Sequence, residues 1–155
     1  MTLIRKAVAS DAEAINNLDK EWEKEGISWA LAMSPTAVER IKKEIKKDFF
    51  YVAEYKGAVV GYVYGFVKTA VRAMPSYSIE KGQKYGEIES LYVLKEHRNK
   101  MAGGKLVKRI LSEFKEKDVA KVKLWTSHKN VWKIVRFYRR FGFQERHVDM
   151  VLDLK

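Results

Sequence analysis

The sequence predicts one α/β (α+β) domain, a mixed sheet with about four helices on its faces. The chain has 155 residues, which suits one domain with a full-sized core. Segments of helical apolar period alternate with short β-branched and aromatic runs, in the order β-α-α-β-β-β-α-β-α-β. No repeat, low-complexity stretch or linker divides it, so residues 1–155 read as a single domain.

Leu3–Val8 reads as a short first strand. Ser10-Asp11-Ala12-Glu13 has the S-x-x-E spacing of a capping box, and a helix runs from there to about Lys24. Gly26 interrupts it, and Ile27 to Met33 reads equally as short helix or loop. Ser34-Pro35 supplies an N-cap and a first-turn proline for a second helix, with Val38, Ile41 and Ile45 on one face. Phe49–Tyr55 and Ala58–Val67 form a hairpin about Lys56-Gly57. Lys68–Tyr85 is long for a connection and reads as a binding loop at the entrance to a site or as a surface excursion. Glu87–Leu94 is the central strand, Ala102–Lys117 a helix and Lys121–Thr126 a strand. Asn130 caps a last helix that Gly142 ends, and Phe143–Leu154 returns as a strand.

Composition narrows the function. Apolar residues make up 46 % and charged residues 33 %, as in a globular protein. There is no cysteine, which excludes disulfides and thiolate chemistry. His97, His128 and His147 lack metal-ligand spacing, so no metal is expected. No apolar run reaches the roughly 18 residues of a membrane span, and the N-terminus carries no signal-peptide core. The expected location is cytoplasmic. The net charge of +11 is uneven: residues 1–94 carry 14 Lys/Arg against 13 Asp/Glu, and residues 95–155 carry 17 against 7. A basic half suits an anionic partner. A lysine-rich solvated surface is the other reading.

The excess begins where the chain runs from the central strand through a basic turn, Glu96-His97-Arg98-Asn99-Lys100, to Gly103-Gly104 at a helix start. Strand, glycine-containing basic loop and helix start aim backbone N–H groups and a helix dipole at a phosphate. Two adjacent glycines there cost helix stability, which close approach of a ligand would explain.

These motifs, in order, resemble the GNAT superfamily of N-acetyltransferases. Glu-Ser-Leu-Tyr-Val at 89–93 is similar to that family's fourth strand. Arg98-Asn99-Lys100-Met101-Ala102-Gly103 falls where the family has its Q/R-x-x-G-x-G/A pyrophosphate loop. Asn130 and the run Phe137-Tyr138-Arg139-Arg140-Phe141-Gly142-Phe143 match later family features. The resemblance covers nearly the whole chain and implies a GNAT-like, mostly antiparallel central sheet. It implies acetyl transfer from acetyl-CoA to an amine. Met101 departs from the pattern, standing where a loop glycine is usual. Its Cβ restricts positive φ and close backbone approach, so the expected direction is weaker cofactor binding.

The implied cofactor contacts are the strand edge Leu91, Tyr92 and Val93 for the pantetheine amides. The loop and helix start, Arg98, Asn99, Lys100, Met101, Ala102, Gly103, Gly104 and Lys105, would meet the phosphates. Asn130 would touch pantetheine, unless it is only a helix cap. Arg98 and Lys100 also read as an ordinary basic turn. The acceptor amine must be neutral to attack, and Glu87 and Glu89 are both plausible bases. Glu89 lies where several amine acetyltransferases place theirs and is slightly favoured. Both glutamates share strand parity with Leu91 and Val93, and a β-bulge would separate the polar from the apolar pair. Tyr138 would protonate the departing thiolate, as in similar enzymes, or is a core tyrosine. The short segment after Phe143 suggests an open groove that admits a peptide or protein amine, or a small amine such as a polyamine. Two other readings stay open. One is a catalytically silent relative that binds a protein partner. The other is a basic nucleic-acid-binding module, for which no recognised motif appears. Oligomeric state is not encoded in any pattern of the sequence.

Overall fold

A computed structural model describes residues 1–26, 34–98, 101–126, 129–147, 150 and 152–154. Five strands form one sheet: β1 (Leu3–Lys6), β2 (Phe49–Tyr55), β3 (Ala58–Thr69), β4 (Lys84–Val93) and β5 (Lys121–Lys123). Their order is β1-β2-β3-β4-β5, antiparallel throughout except that β5 runs parallel to β4. The helices are α1 (Ala12–Lys24), α2 (Ala37–Lys47), α3 (Ala102–Glu116) and α4 (Val131–Arg139). This is the mixed, mostly antiparallel sheet with four helices that the sequence predicts.

The sheet is covered on both faces. Ile15 and Leu18 of α1 and Ile41 and Ile45 of α2 pack with Phe50, Val52, Tyr62 and Tyr92. On the other face Leu106, Ile110 and Phe114 of α3 pack with Tyr51, Ala53, Val63, Ile88 and Val93. The strand residues alternate between the two clusters, as the period of two requires. The β2–β3 hairpin turns through Lys56 and Gly57, both at positive φ (50° and 81°), a backbone that suits Gly57 and that Lys56 takes despite its Cβ.

Several boundaries differ from the expected ones. A 3-10 turn, Ala9–Asp11, precedes α1, and Asp11 rather than Ser10 occupies the N-cap. The Asp11 carboxylate accepts from the Val8 N–H at 2.8 Å and holds Arg5 at 2.7 Å, so a strand-to-helix tie replaces the capping box. Helix α2 starts at Ala37, because the Ala37 N–H still closes a turn on the Ser34 carbonyl at 3.0 Å. The ambiguous stretch 27–33 lies outside the described residues. Residues 70–83 form a folded excursion in which Ala70 and Ile79 make a small core with Met74, Tyr77 and Tyr85 of β4.

The expected last strand, Phe143–Leu154, does not form among the described residues. Met150, Leu152 and Leu154 are exposed instead. A strand needs a partner edge, and β5 offers three residues where six were expected.

Candidate active site

The site begins with an irregularity in β4. Tyr64 pairs with Ser90 and Gly65 with Ile88, so Glu89 is the extra residue of a β-bulge. Gly65 is glycine because a Cβ there would lie 2.4 Å from the Glu87 carbonyl oxygen. The bulge resets side-chain parity. Glu87 pairs with Phe66 on one face, while Leu91 and Val93 pair with Val63 and Gly61 on the α3 face. Glu87 is thereby separated from the apolar pair.

Backbone direction follows from one hydrogen bond. The Leu94 N–H donates to the Val60 carbonyl at 3.0 Å. Antiparallel neighbours alternate between bonded and non-bonded pairs, so Ser90 and Tyr92 bond to β3. Leu91 and Val93 therefore turn their N–H and C=O groups to the opposite edge. Strand β5 pairs with that edge only at Tyr85–Glu87. Beyond Glu87 no strand among the described residues covers the edge, which forms one wall of a cleft of about 1060 Å³.

The second wall is the start of α3. Among the described residues no side chain caps this helix, and its first intrahelical bond runs from the Lys105 N–H to the Met101 carbonyl at 3.0 Å. The N–H groups of Ala102, Gly103 and Gly104 therefore have no partner within the helix. A Cβ built on Gly103 or Gly104 would meet nothing of the chain closer than 3.5 Å, the Phe137 ring. Packing within the protein does not require these glycines, and they leave the backbone open to the cleft. Three N–H groups on a helix dipole suit a diphosphate.

Met101 adopts the conformation that its side chain disfavours. It is the N-cap of α3 at φ +66° and 69 % exposed. Left-handed backbone costs a residue with a Cβ about 1–2 kcal/mol, partly offset by glycine's greater freedom in the unfolded chain. Met101→Gly is expected to stabilise the fold by about 0.5–1 kcal/mol, raising Tm by roughly 1–4 °C in thermal denaturation.

The remaining sequence-derived candidates divide. Glu89 is exposed and lines the cleft. Glu87 does not line it: the side chain is buried and its carboxylate holds the Lys123 ammonium at 2.6 Å. The base role expected for either glutamate therefore has one accessible candidate. Asn130 starts α4 at φ +55°, and its side chain makes no capping bond and lines the cleft. Tyr138 is 9 % exposed, with its ring against Phe137 and Phe143, and it too lines the cleft. Burial pushes its phenol above the usual value near 10. Lys105 borders the cleft, with its ammonium 3.5 Å from the Thr2 carbonyl oxygen. Asn99 and Lys100 lie outside the described residues.

Two of the expected contact residues have partners within the chain. The Arg98 guanidinium does not stand free for a phosphate. It donates twice to Glu25, at 2.7 and 3.0 Å, and its Nε donates to the Val93 carbonyl at 2.8 Å. Tyr92 offers no backbone group to the open edge, since its amide and carbonyl pair with β3 and its hydroxyl donates to Glu25 at 2.7 Å. Residues 68–85, expected to shape the entrance, contribute nothing to the cleft lining.

The third wall was not singled out in the sequence. Tyr62, Tyr64 and Phe66 alternate along β3 and face α1 and α2. The Tyr62 hydroxyl donates to Asp19, and Arg40 makes a two-pronged contact with Glu44 at 2.9 and 3.0 Å. Burial raises Asp19 above the usual carboxylate value, although Tyr62 and Arg40 pull it down. The YVYGF alternation marked that face, but its distant partners had no sequence signal. Among the described residues no three side chains gather that could hold a metal, and no helix is long and apolar enough to cross a membrane.

Comparison with known proteins gives the family. The model of the acetyltransferase (GNAT) family matches residues 14–143. An uncharacterized N-acetyltransferase of Chlorobaculum tepidum is 34 % identical over 144 residues, 93 % of this chain and 76 % of that protein. A predicted acetyltransferase of Clostridium acetobutylicum, crystallised with acetyl-CoA, superposes with a TM-score of 0.74 at 20 % identity, over 100 % of this chain and 96 % of that one. A Trypanosoma brucei acetyltransferase superposes with a TM-score of 0.73 at 21 % identity, over 99 % and 100 %. The chain belongs to the acetyltransferase (GNAT) family, the acetyl-CoA-dependent N-acetyltransferases.

Proposed function

We propose that this protein transfers the acetyl group of acetyl-CoA to a primary amine by direct attack of the amine on the thioester, with Glu89 as base and Tyr138 as acid. One observation carries the reading. The uncovered β4 edge, the uncapped α3 start, Glu89 and Tyr138 all border a single cleft.

The parts suit the chemistry. The N–H groups of Ala102, Gly103 and Gly104 would receive the diphosphate, with Met101 presenting its exposed side chain beside them. Leu91 and the Val93 N–H would pair with the pantetheine amides, and the Asn130 side chain would reach the same arm. A lysine-like amine, with a pKa of about 10.4, is neutral in only about one molecule in a few thousand at pH 7. Glu89 would take its proton, directly or through water, as nitrogen forms its bond to the acetyl carbon. The carbon–sulfur bond then breaks, and the Tyr138 phenol gives its proton to the sulfur. The acceptor is a protein or peptide N-terminus, a lysine or a small amine, classes that peptide-array acetylation with labelled acetyl-CoA would separate. The site of action proposed is the cytoplasm.

The first test is binding. Acetyl-CoA at a hundredfold excess over its Kd is expected to stabilise the fold by about 2.7 kcal/mol, a Tm rise of roughly 5–10 °C. No shift at millimolar acetyl-CoA would overturn the reading. A gel shift with DNA and RNA at two salt concentrations tests the basic half as a nucleic-acid surface.

A further inference from the structure

Glu25 sits at the wrong end of a helix. It is the C-cap of α1, where the dipole disfavours a carboxylate, and its side chain is 12 % exposed. Burial opposes its ionisation, yet hydrogen bonds from Arg98 and Tyr92 hold its carboxyl below the usual range. The Tyr92 ring stacks on Trp22 at 5.4 Å, and the Arg98 guanidinium lies 5.3 Å from that ring. Arg98 also reaches the Val93 carbonyl, the last edge group of β4 before the basic turn.

We infer that Glu25 and Arg98 act as a positioning pair. Glu25 clamps the Arg98 side chain onto the Val93 carbonyl, which fixes the mouth of the acetyl-CoA cleft, and Arg98 does not itself bind phosphate. This rests on the proposed function and adds Glu25, a residue of the opposite wall, to the machinery. With its carbonyl held by Arg98, Val93 keeps only its N–H for the pantetheine arm. The same guanidinium anchors the chain three residues before Met101 and the first N–H groups of α3. The end of α1 thereby sets where the phosphate-facing turn begins.

The two roles for Arg98 give opposite signs in one variant. A guanidinium bound to phosphate would be freed by Glu25→Gln, and acetyl-CoA would bind as tightly or more tightly. A guanidinium that positions Val93 would be loosened, and binding would weaken. Titration calorimetry of the full chain with acetyl-CoA is expected to give Kd values about 5- to 10-fold higher for Glu25→Gln and for Arg98→Gln, with the double variant no worse than either single one. KM for acetyl-CoA should rise in step while kcat at saturation stays within about twofold. Tyr92→Phe, which removes one bond to Glu25 and keeps the ring, should weaken binding about two- to threefold and serves if Glu25→Gln does not fold. Unchanged or tighter binding in Glu25→Gln, or in Tyr92→Phe where that variant must serve, with weaker binding in Arg98→Gln, would overturn the inference and leave the acetyltransferase reading intact. Absence of acetyl-CoA binding by the wild-type protein would remove both.

Discussion

Glu89→Gln is expected to lower kcat by about 10²–10³ at pH 7 while acetyl-CoA binds as before, because general-base catalysis contributes roughly 10²–10⁴. Glu89 is the accessible member of the β4 glutamate pair, carried on a bulge and bordering the cleft. A base is needed only while the amine is protonated. The deficit should therefore shrink as pH rises toward the amine's own pKa, and vanish sooner for an α-amine near 7.7–8 than for a lysine amine near 10.4. Damage to the fold would leave a deficit that ignores both pH and amine. Glu87→Gln is the contrast: it strands the Lys123 ammonium, whose side chain is 16 % exposed. Its expected cost is stability, about 1–3 kcal/mol, with kcat per folded molecule little changed. A pH-independent deficit in Glu89→Gln, or a larger one in Glu87→Gln, would move the base elsewhere.

Much of this site was legible in the chain because it depends on local rules. The start of α3 at Ala102 follows from a glycine pair and an unbroken apolar period, and the helix forms there. Met101 is conspicuous because its Cβ contradicts a turn that needs positive φ, and it takes that φ. The Glu87–Glu89 ambiguity was sharper than parity alone could resolve. Gly65, the partner-strand residue that makes room for the Glu87 carbonyl, was the available sign of the bulge. The motif position of Arg98 suggested phosphate, and its carboxylate partner lies 73 positions away in sequence. No local pattern pairs those two residues. The last strand does not form among the described residues for a similar reason: the residue types of Phe143–Leu154 say nothing about how much edge β5 provides.

Tyr138→Phe should separate activity from stability. The phenol is buried except where it meets the cleft, and no hydrogen bond to its hydroxyl forms among the described residues. Its ring contacts with Phe137 and Phe143 survive the change. A largely buried hydroxyl without a partner costs roughly 1–3 kcal/mol in a fold, so a purely structural position would favour phenylalanine. Tm is therefore expected to hold or rise by a few degrees. The Kd for acetyl-CoA should stay within about twofold, since the cofactor's proposed contacts are backbone groups elsewhere. Turnover should fall about 100-fold, the lower end for a positioned acid, because a thiolate is already a fair leaving group. Burial raises the phenol's pKa, so the proton is present below the usual value near 10 and remains through it. The wild-type rate should show no loss near pH 10 from this group. A Tyr138→Phe enzyme with full kcat would leave the sulfur to be protonated by solvent. A variant that melts much earlier would make Tyr138 a core residue and nothing more.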